Sequence, residues 1–228
     1  DLDWLLQSMR LLVAPGETRA RVAVDGEKGL TAVEGFYLGR LYMYRQVYLH
    51  KAVRAAEAVM RALFCRLAEL DPQPGTPVGR QKLLAGVEPT LGEFLDLDDH
   101  AFETALKRYG ESDDPILAEL AQRLRFRRLF KTMRIRPDVL PEQAQERLAS
   151  VLAQHHDGPG YVAWVDRVEI AAYIEDDRMM VHTGGRLQRL LDVSPVLHGL
   201  SNETFVHYRL VFPPELREPI RAAFADLR

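Results

Sequence analysis

The sequence predicts an α+β chain, helical over its first 130 residues and strand-bearing after that, and three observations lead there. Between positions 31 and 70 there is no proline and only two glycines, and RAAEAVMRALFCRLAEL is rich in strong helix formers. From about Phe130 onward, runs of β-branched and aromatic residues alternate with amphipathic helical ones. The 228 residues are 47% apolar and 28% charged, enough to bury a substantial core. No apolar run approaches the roughly 18 residues of a membrane span, so no membrane partner is expected.

The elements follow in order. Leu2, Leu5, Leu6, Met9, Leu12 and Val13 recur at helical spacing and stop at the APGE turn, which predicts a helix from Asp1 to about Val13. RARVAVDGEKG alternates before an Asp-Gly turn and reads as a short strand or hairpin arm. Positions 31–70 then form the longest helix. DPQPGTPVG holds three prolines and two glycines in nine residues, so it is a loop. Two helices come next, with Asp98 and Asp114 at the N-cap positions and acidic residues or proline in the following turn. FKTMRI, YVAWVDRVEI, RMMVHT and TFVHYRLVF read as strands, interleaved with the helices PEQAQERLASVLAQHH, SPVLHGLS and PELREPIRAAFADL. The first six of these make the β-α-β-β-α-β order of a ferredoxin-like unit, an antiparallel sheet with its helices on one face. The expected division is a helical segment over 1–130 and a ferredoxin-like α+β domain over 131–228.

A formal charge of −3 argues against a basic nucleic-acid coat; a nucleic-acid polymer is not an expected partner, and any anion site must be local. Cys65 is the only cysteine, which excludes an intrachain disulfide and multi-thiolate zinc, and fits a reducing, cytoplasmic setting. DLDWLLQSMR has neither the basic start nor the apolar core of an export signal. With no initiator methionine and an opening inside a helical pattern, the chain reads as a piece of a longer protein.

The stretch FYLGRLYMYRQVYLHK, 36–51, is unusual for a helix in its density of tyrosine and cations. At about 100° per residue, Tyr37, Arg40, Tyr44, Tyr48 and Lys51 share one stripe, and Phe36, Met43, Val47 and His50 an adjoining apolar one. Two readings stand. A tyrosine ring can cover a base or sugar while an arginine fork matches phosphate oxygens, giving a nucleotide polyphosphate pocket. Alternatively, the tyrosines face a half-buried helix contact with Arg and Lys lying over the rim.

AVEGFYLGRLYMYRQVYLHKAVRAAEAVM, followed by LDLDDHAFETALKRY and LAQRLRFRRLFKTMRI, resembles the region downstream of the catalytic core in HD-domain phosphohydrolases related to deoxynucleoside triphosphate triphosphohydrolases. DLDWLLQSMRLL looks like the helix after that family's last metal ligand, and the C-terminal part is similar to the extension of its bacterial branch. The resemblance implies a parent enzyme hydrolysing a nucleotide or phosphoester with a metal-activated water. A divalent metal (Mn, Mg, Fe or similar) would be held by a histidine, a His-Asp pair and an aspartate upstream of this chain. On this chain it implies no catalytic or metal-ligating residue and no bound cofactor. Arg40, Tyr44 and Tyr48 match substrate-binding positions that face phosphates, sugar and base. Arg45, His50, Lys51 and Arg127 match a cluster at an effector site and subunit contact, which implies a homo-oligomer. Leu49 and Gln46 depart from the polar and basic residues found there in some relatives. The chain alone is expected to be inactive. The competing class is a non-catalytic ligand-binding or assembly module, with Tyr37, Tyr44 and Tyr48 as core or interface anchors.

Other constellations weigh less. The basic-aromatic RLRFRRLFK suits nucleotide phosphates or single-stranded nucleic acid, but also the outer face of an amphipathic helix. His156-Asp157, the only His-Asp dipeptide, ends a helix before a Gly-Pro-Gly turn and reads as a solvated terminus. EDD at 175–177 reads as a hairpin turn, and His182 and His207 on predicted strands lack a third ligand. No nucleophile-elbow sequence supports a serine hydrolase.

Overall fold

The computed structural model describes residues 2–13, 16, 18–136, 138–173 and 179–227, so the EDD turn at 175–177 lies outside the described residues. In chain order the elements are α1 (Leu2–Ser8), β1 (Met9–Val13), β2 (Ala20–Asp25), α2 (Leu30–Met43), a π-helical turn (Tyr44–Tyr48), α3 (Lys51–Glu69), α4 (Val78–Leu84), α5 (Leu91–Leu95), α6 (Asp99–Tyr109) and α7 (Pro115–Arg125). There follow β3 (Lys131–Ile135), α8 (Pro141–His155), β4 (Trp164–Ala171), β5 (Met179–Thr183), β6 (Arg186–Arg189), α9 (Leu190–Val193), α10 (Pro195–Ser201), β7 (Thr204–Phe212) and α11 (Arg217–Ala223). The class is α+β, as expected. Among the described residues, no helix is long and apolar enough to cross a membrane.

Two compact units result, neither of them contiguous: residues 1–50 with 168–206, and residues 51–167 with 207–228. The expected boundary at 130/131 falls within the second. The strands also divide, into sheets of order β1-β2-β5-β6 and β3-β7-β4. FKTMRI, YVAWVDRVEI and TFVHYRLVF supply β3, β4 and β7 of one sheet, whereas RMMVHT supplies β5 of the other. There β5 runs parallel to β2, with Val24 opposite Val181 and both fully buried. Those two valines give the register its apolar face, which a one-residue slip would expose.

In the first unit the predicted N-terminal helix stops at Ser8, and Met9–Val13 instead forms β1, antiparallel to β2. Five residues are too few for helical spacing to be decisive, and the ladder to β2 offers partners to the backbone groups of alternate residues. Val24, Val33, Tyr37, Tyr173, Val181, Leu190 and Leu197 make the core. Gly29 precedes α2 where a Cβ would lie 2.2 Å from Ser8 Oγ and 2.4 Å from Val24 Cγ1, so only glycine lets α2 start this close to the end of α1.

The second unit is built on α3, whose Ala58, Val59, Ala62 and Leu63 pack against Leu106 and Tyr109 of α6 and Leu117, Leu120 and Ala121 of α7. Burying side chains such as Leu63 and Leu117 contributes about 1.5–3 kcal/mol each. A second cluster joins Ile135, Leu148, Leu152, Leu210, Phe212, Ile220 and Phe224, placing α8 and α11 on one face of β3 and β7. Asp98 and Asp114 cap α6 and α7 as the sequence predicts, accepting from Ala101 N and Leu117 N at 2.7 Å each.

At α5, Thr90 and Glu93 form a reciprocal capping box, and Lys82 Nζ reaches Glu93 Oε2 at 2.7 Å. The lysine, then the Thr90 backbone, hold the Glu93 carboxyl down to about 2, against an ordinary 4.5. A depressed carboxyl stabilises the fold fully above its unfolded pKa. Acid unfolding should therefore show a stability loss as pH falls from about 4.5 towards 2 that is smaller in Glu93→Gln, measured by urea titration at each pH.

Candidate substrate-positioning surface

The side chains of 36–51 depend on which line of α2 faces the core. That line is Val33, Tyr37 and Leu41, spaced at i, i+4 and i+8, and all three are buried. Tyr37 therefore leaves the predicted polar-aromatic stripe: it packs edge-on against Tyr173, with ring centroids 4.8 Å apart. The adjoining apolar stripe is exposed, with Phe36, Met43 and Val47 at 53%, 47% and 46%. Spacing separates two stripes but does not say which turns inward. Glu34, beside the core line, accepts from Ser194 Oγ at 2.6 Å, and Ser194 itself caps α10. These contacts fix the rotation of α2.

Past Met43 the helix widens. Leu49 N donates to Tyr44 O at 2.9 Å, an i to i+5 bond, and the helix ends at Leu49 (φ −99°, ψ 15°) before α3 starts at Lys51. Single π turns of this kind recur at functional sites. Here the turn carries two exposed tyrosines, Tyr44 and Tyr48, whose ring centroids lie 5.1 Å apart and tilted by 55°. The half-buried Arg40, one turn earlier, lays its guanidinium over the Tyr44 ring at 5.0 Å. Arg40, Tyr44 and Tyr48 are thus brought together as a continuous run of a planar cation and two aromatic faces. The cation–π contact is worth about 0.5–1 kcal/mol at an exposed site and keeps the fork extended along the ring. Such a surface can meet an anion through Arg40 and a flat ring through Tyr48.

The four residues of the predicted effector cluster stand on separate elements. Arg45, on the π turn, covers the Phe205 ring at 4.8 Å. Its partner is a β7 residue far along the chain, which no local pattern in 36–51 could indicate. His50 lies at the helix break and Lys51 begins α3, both exposed. Arg127 is exposed just beyond α7 with φ 53°, the left-handed conformation. Arg127 N donates to Leu124 O at 3.2 Å and Arg128 N to Arg123 O at 2.9 Å, so Arg127 holds the position that glycine usually occupies in this helix-ending motif. Arg127→Gly should raise stability by about 0.5–1 kcal/mol in chemical denaturation, by relieving the Cβ clash.

The remaining motifs fall as follows. His156 ends α8 but is less solvated than its sequence setting indicates: its Nε2 is buried without a hydrogen-bond partner, and the ring lies against Gly158. Backbone turning at Gly158-Pro159 folds the chain over the imidazole. His182 lies on β5 and His207 on β7, in different sheets. Among the described residues, no group of three or more His, Cys, Asp or Glu is gathered to hold a metal ion.

No family model matches the chain. It is 25% identical over 229 residues to the uncharacterized protein YwfO of Bacillus subtilis (strain 168), a match covering 95% of this chain and 51% of that protein. Among solved structures, a phosphohydrolase from Bacteroides thetaiotaomicron VPI-5482 matches with a TM-score of 0.67 and 20% identity, over 91% of this chain and 54% of that one. A hypothetical protein from Aquifex aeolicus matches with a TM-score of 0.67 and 25% identity, over 98% of this chain and 51% of that one. The chain thus spans about half the length of each of these three proteins. What it shares with the Bacteroides protein is the fold of part of a phosphohydrolase.

Proposed function

We propose that this chain is the substrate-positioning part of an HD-type phosphohydrolase acting on nucleotides, in the manner of deoxynucleoside triphosphate triphosphohydrolases. The observation that carries this reading is the run of Arg40, Tyr44 and Tyr48 at the π turn, with Arg40 laid over Tyr44 at 5.0 Å. The likeness in fold to a phosphohydrolase of which the match covers 54% supports it. The described residues of this chain do not fit a metal centre. On this reading the divalent metal belongs to the other half of the parent protein, and the chain alone does not turn over.

The chain's own residues then bind and orient. Arg40 presents parallel N–H donors to phosphate oxygens and offsets their charge. Tyr44 holds that guanidinium in one orientation, so less freedom is lost when the anion arrives. Tyr48 offers its ring to the base or sugar and its hydroxyl to a sugar oxygen. Arg45, His50, Lys51 and Arg127 remain candidates for effector or subunit contacts in a cytoplasmic homo-oligomer.

One observation favours the second reading, an assembly module. Phe36, Tyr42, Met43 and Val47 are exposed at 53%, 52%, 47% and 46% on one short stretch of helix. Hydrolysis decides between them: a protein extended to the full length of these relatives should release triphosphate from a deoxynucleoside triphosphate with added Mn²⁺ or Mg²⁺. Absence of turnover on dATP, dCTP, dGTP and dTTP, with sedimentation showing a stable oligomer, would leave assembly as the role.

A further inference from the structure

In the second unit, a cavity of about 410 Å³ lies between the edge strand β3 and helix α11, lined by Lys131, Thr132, Met133, Arg134, Phe212, Arg217 and Arg221. Four of its seven lining residues are cationic and none is acidic. This is out of keeping with a chain that carries 33 acidic and 30 basic residues. Elsewhere in the unit, four arginines are matched to carboxylates: Arg54 to Asp166, Arg66 to Asp114, Arg123 to Glu215, and Arg147 to Asp226. At the cavity, Lys131, Arg134 and Arg217 form no ion pair among the described residues, and Arg221 has only Glu218, at 3.5 Å and with both side chains exposed.

The architecture explains why these charges converge. Lys131 shares a face of β3 with Met133 and Ile135, the face on which α11 packs. Arg217 and Arg221 sit one turn apart on α11, exposed, while Ile220 and Phe224 turn into the core. Because β3 is the edge of the order β3-β7-β4, alternate amide N–H groups on its outer side have no strand partner and are further donors to an anion. Arg134, on the other face of β3, lies directly opposite Arg209 in the β3–β7 ladder. Burial and then Arg134 push the Arg209 guanidinium down from its ordinary value.

We propose that this cavity binds a compact oligophosphate anion, the chemistry shared by inorganic polyphosphate and the phosphate chain of a nucleotide. Multiple charge in a small volume is what distinguishes this ligand: three cations, Lys131, Arg217 and Arg221, beside the α11 face of β3, with Arg134 lining the same pocket from the strand's other face, suit a short phosphoanhydride chain. An extended acidic peptide or nucleic-acid strand would place most of its charge outside.

The test is calorimetric titration of this chain with inorganic tripolyphosphate, with dATP in parallel. Tripolyphosphate should bind tighter than about 1 mM at low salt and weaken steeply as salt rises. Arg217→Ala/Arg221→Ala, at two exposed positions, should weaken it at least about tenfold with circular dichroism unchanged. The binding step that Arg217→Ala/Arg221→Ala removes should persist in Arg40→Ala, whatever that variant does to a separate step at α2, which separates this site from the nucleotide-positioning reading. Equal affinities for tripolyphosphate and dATP assign recognition to the phosphate chain, and tighter dATP binding assigns it to a nucleotide. The proposal is overturned if wild type does not bind tripolyphosphate, if the double variant binds as well as wild type, or if oligo-dT or polyglutamate binds more tightly per site.

Discussion

Arg40→Ala, made in a protein that carries the other half found in the relatives, is expected to lower kcat/KM for a deoxynucleoside triphosphate by about 100-fold, or ~2.7 kcal/mol. On the proposed function, the size follows from removing one charged, forked donor from the phosphates, with Tyr44 left only the Tyr48 ring to pack against. Arg40→Lys should recover only part of this, staying about tenfold below wild type, because a point charge replaces the fork and the ring contact weakens. Stability should hardly change, since Arg40 is half-buried and its contact is with an exposed ring. Steady-state kinetics with thermal melts on the same samples check both halves of the statement. An unchanged kcat/KM removes Arg40 from the substrate and returns α2 to an assembly role.

The largest expected effect on stability is at Asp114, which holds two positions at once. Its carboxylate caps α7 through Leu117 N at 2.7 Å and forms a bidentate pair with Arg66, at 3.0 Å to Nε and 2.5 Å to Nη2. Both side chains are well covered, at 16% and 21% exposure. Asp114→Ala should cost about 3 kcal/mol, roughly one for the cap and the rest for the charged hydrogen bonds and the stranded guanidinium. That corresponds to a fall in Tm of about 6–12 °C for a chain of this size. Asp114→Asn keeps the cap without the charge and should recover about 1 kcal/mol. The sign with pH is fixed as well. Arg66 is the first cause holding the Asp114 carboxyl below its ordinary 3.8, so the pair stabilises the fold fully above that value and is lost as pH falls through the depressed one.

Asp114 also shows where sequence reasoning reached and where it stopped. Its capping role was legible, because Asp before Pro-Ile-Leu is a local signal with a local cause. Its partner Arg66 sits on another helix, and no pattern within either segment specifies that pairing. The same limit governs α2. The closeness of Arg40, Tyr44 and Tyr48 follows from their spacing, and the structure places them together. That Tyr37 belongs to the core and Phe36 to the surface depended on Tyr173 and Val24, residues remote in sequence. The π turn then shifts the phase on which any extrapolation from Tyr37 to Lys51 rests. Strand segments were legible as strands, but their distribution over two sheets was not, since alternation reports a buried face without naming the neighbour.

That distribution has a consequence for synthesis. Val24 of β2 pairs with Val181 of β5, about 160 positions later, whereas its other neighbour β1 lies next to it in the chain. At ribosomal rates of about 5–20 residues per second, the β1–β2 hairpin waits roughly 8–30 s for its parallel partner. Through that interval Ala23 and Val24, both wholly buried in the finished protein, have one open backbone edge and no apolar cover from β5. A nascent chain stalled before β5 would therefore present a sticky edge. The yield of soluble protein should depend on translation speed across 26–178 more than on the stability of the completed fold.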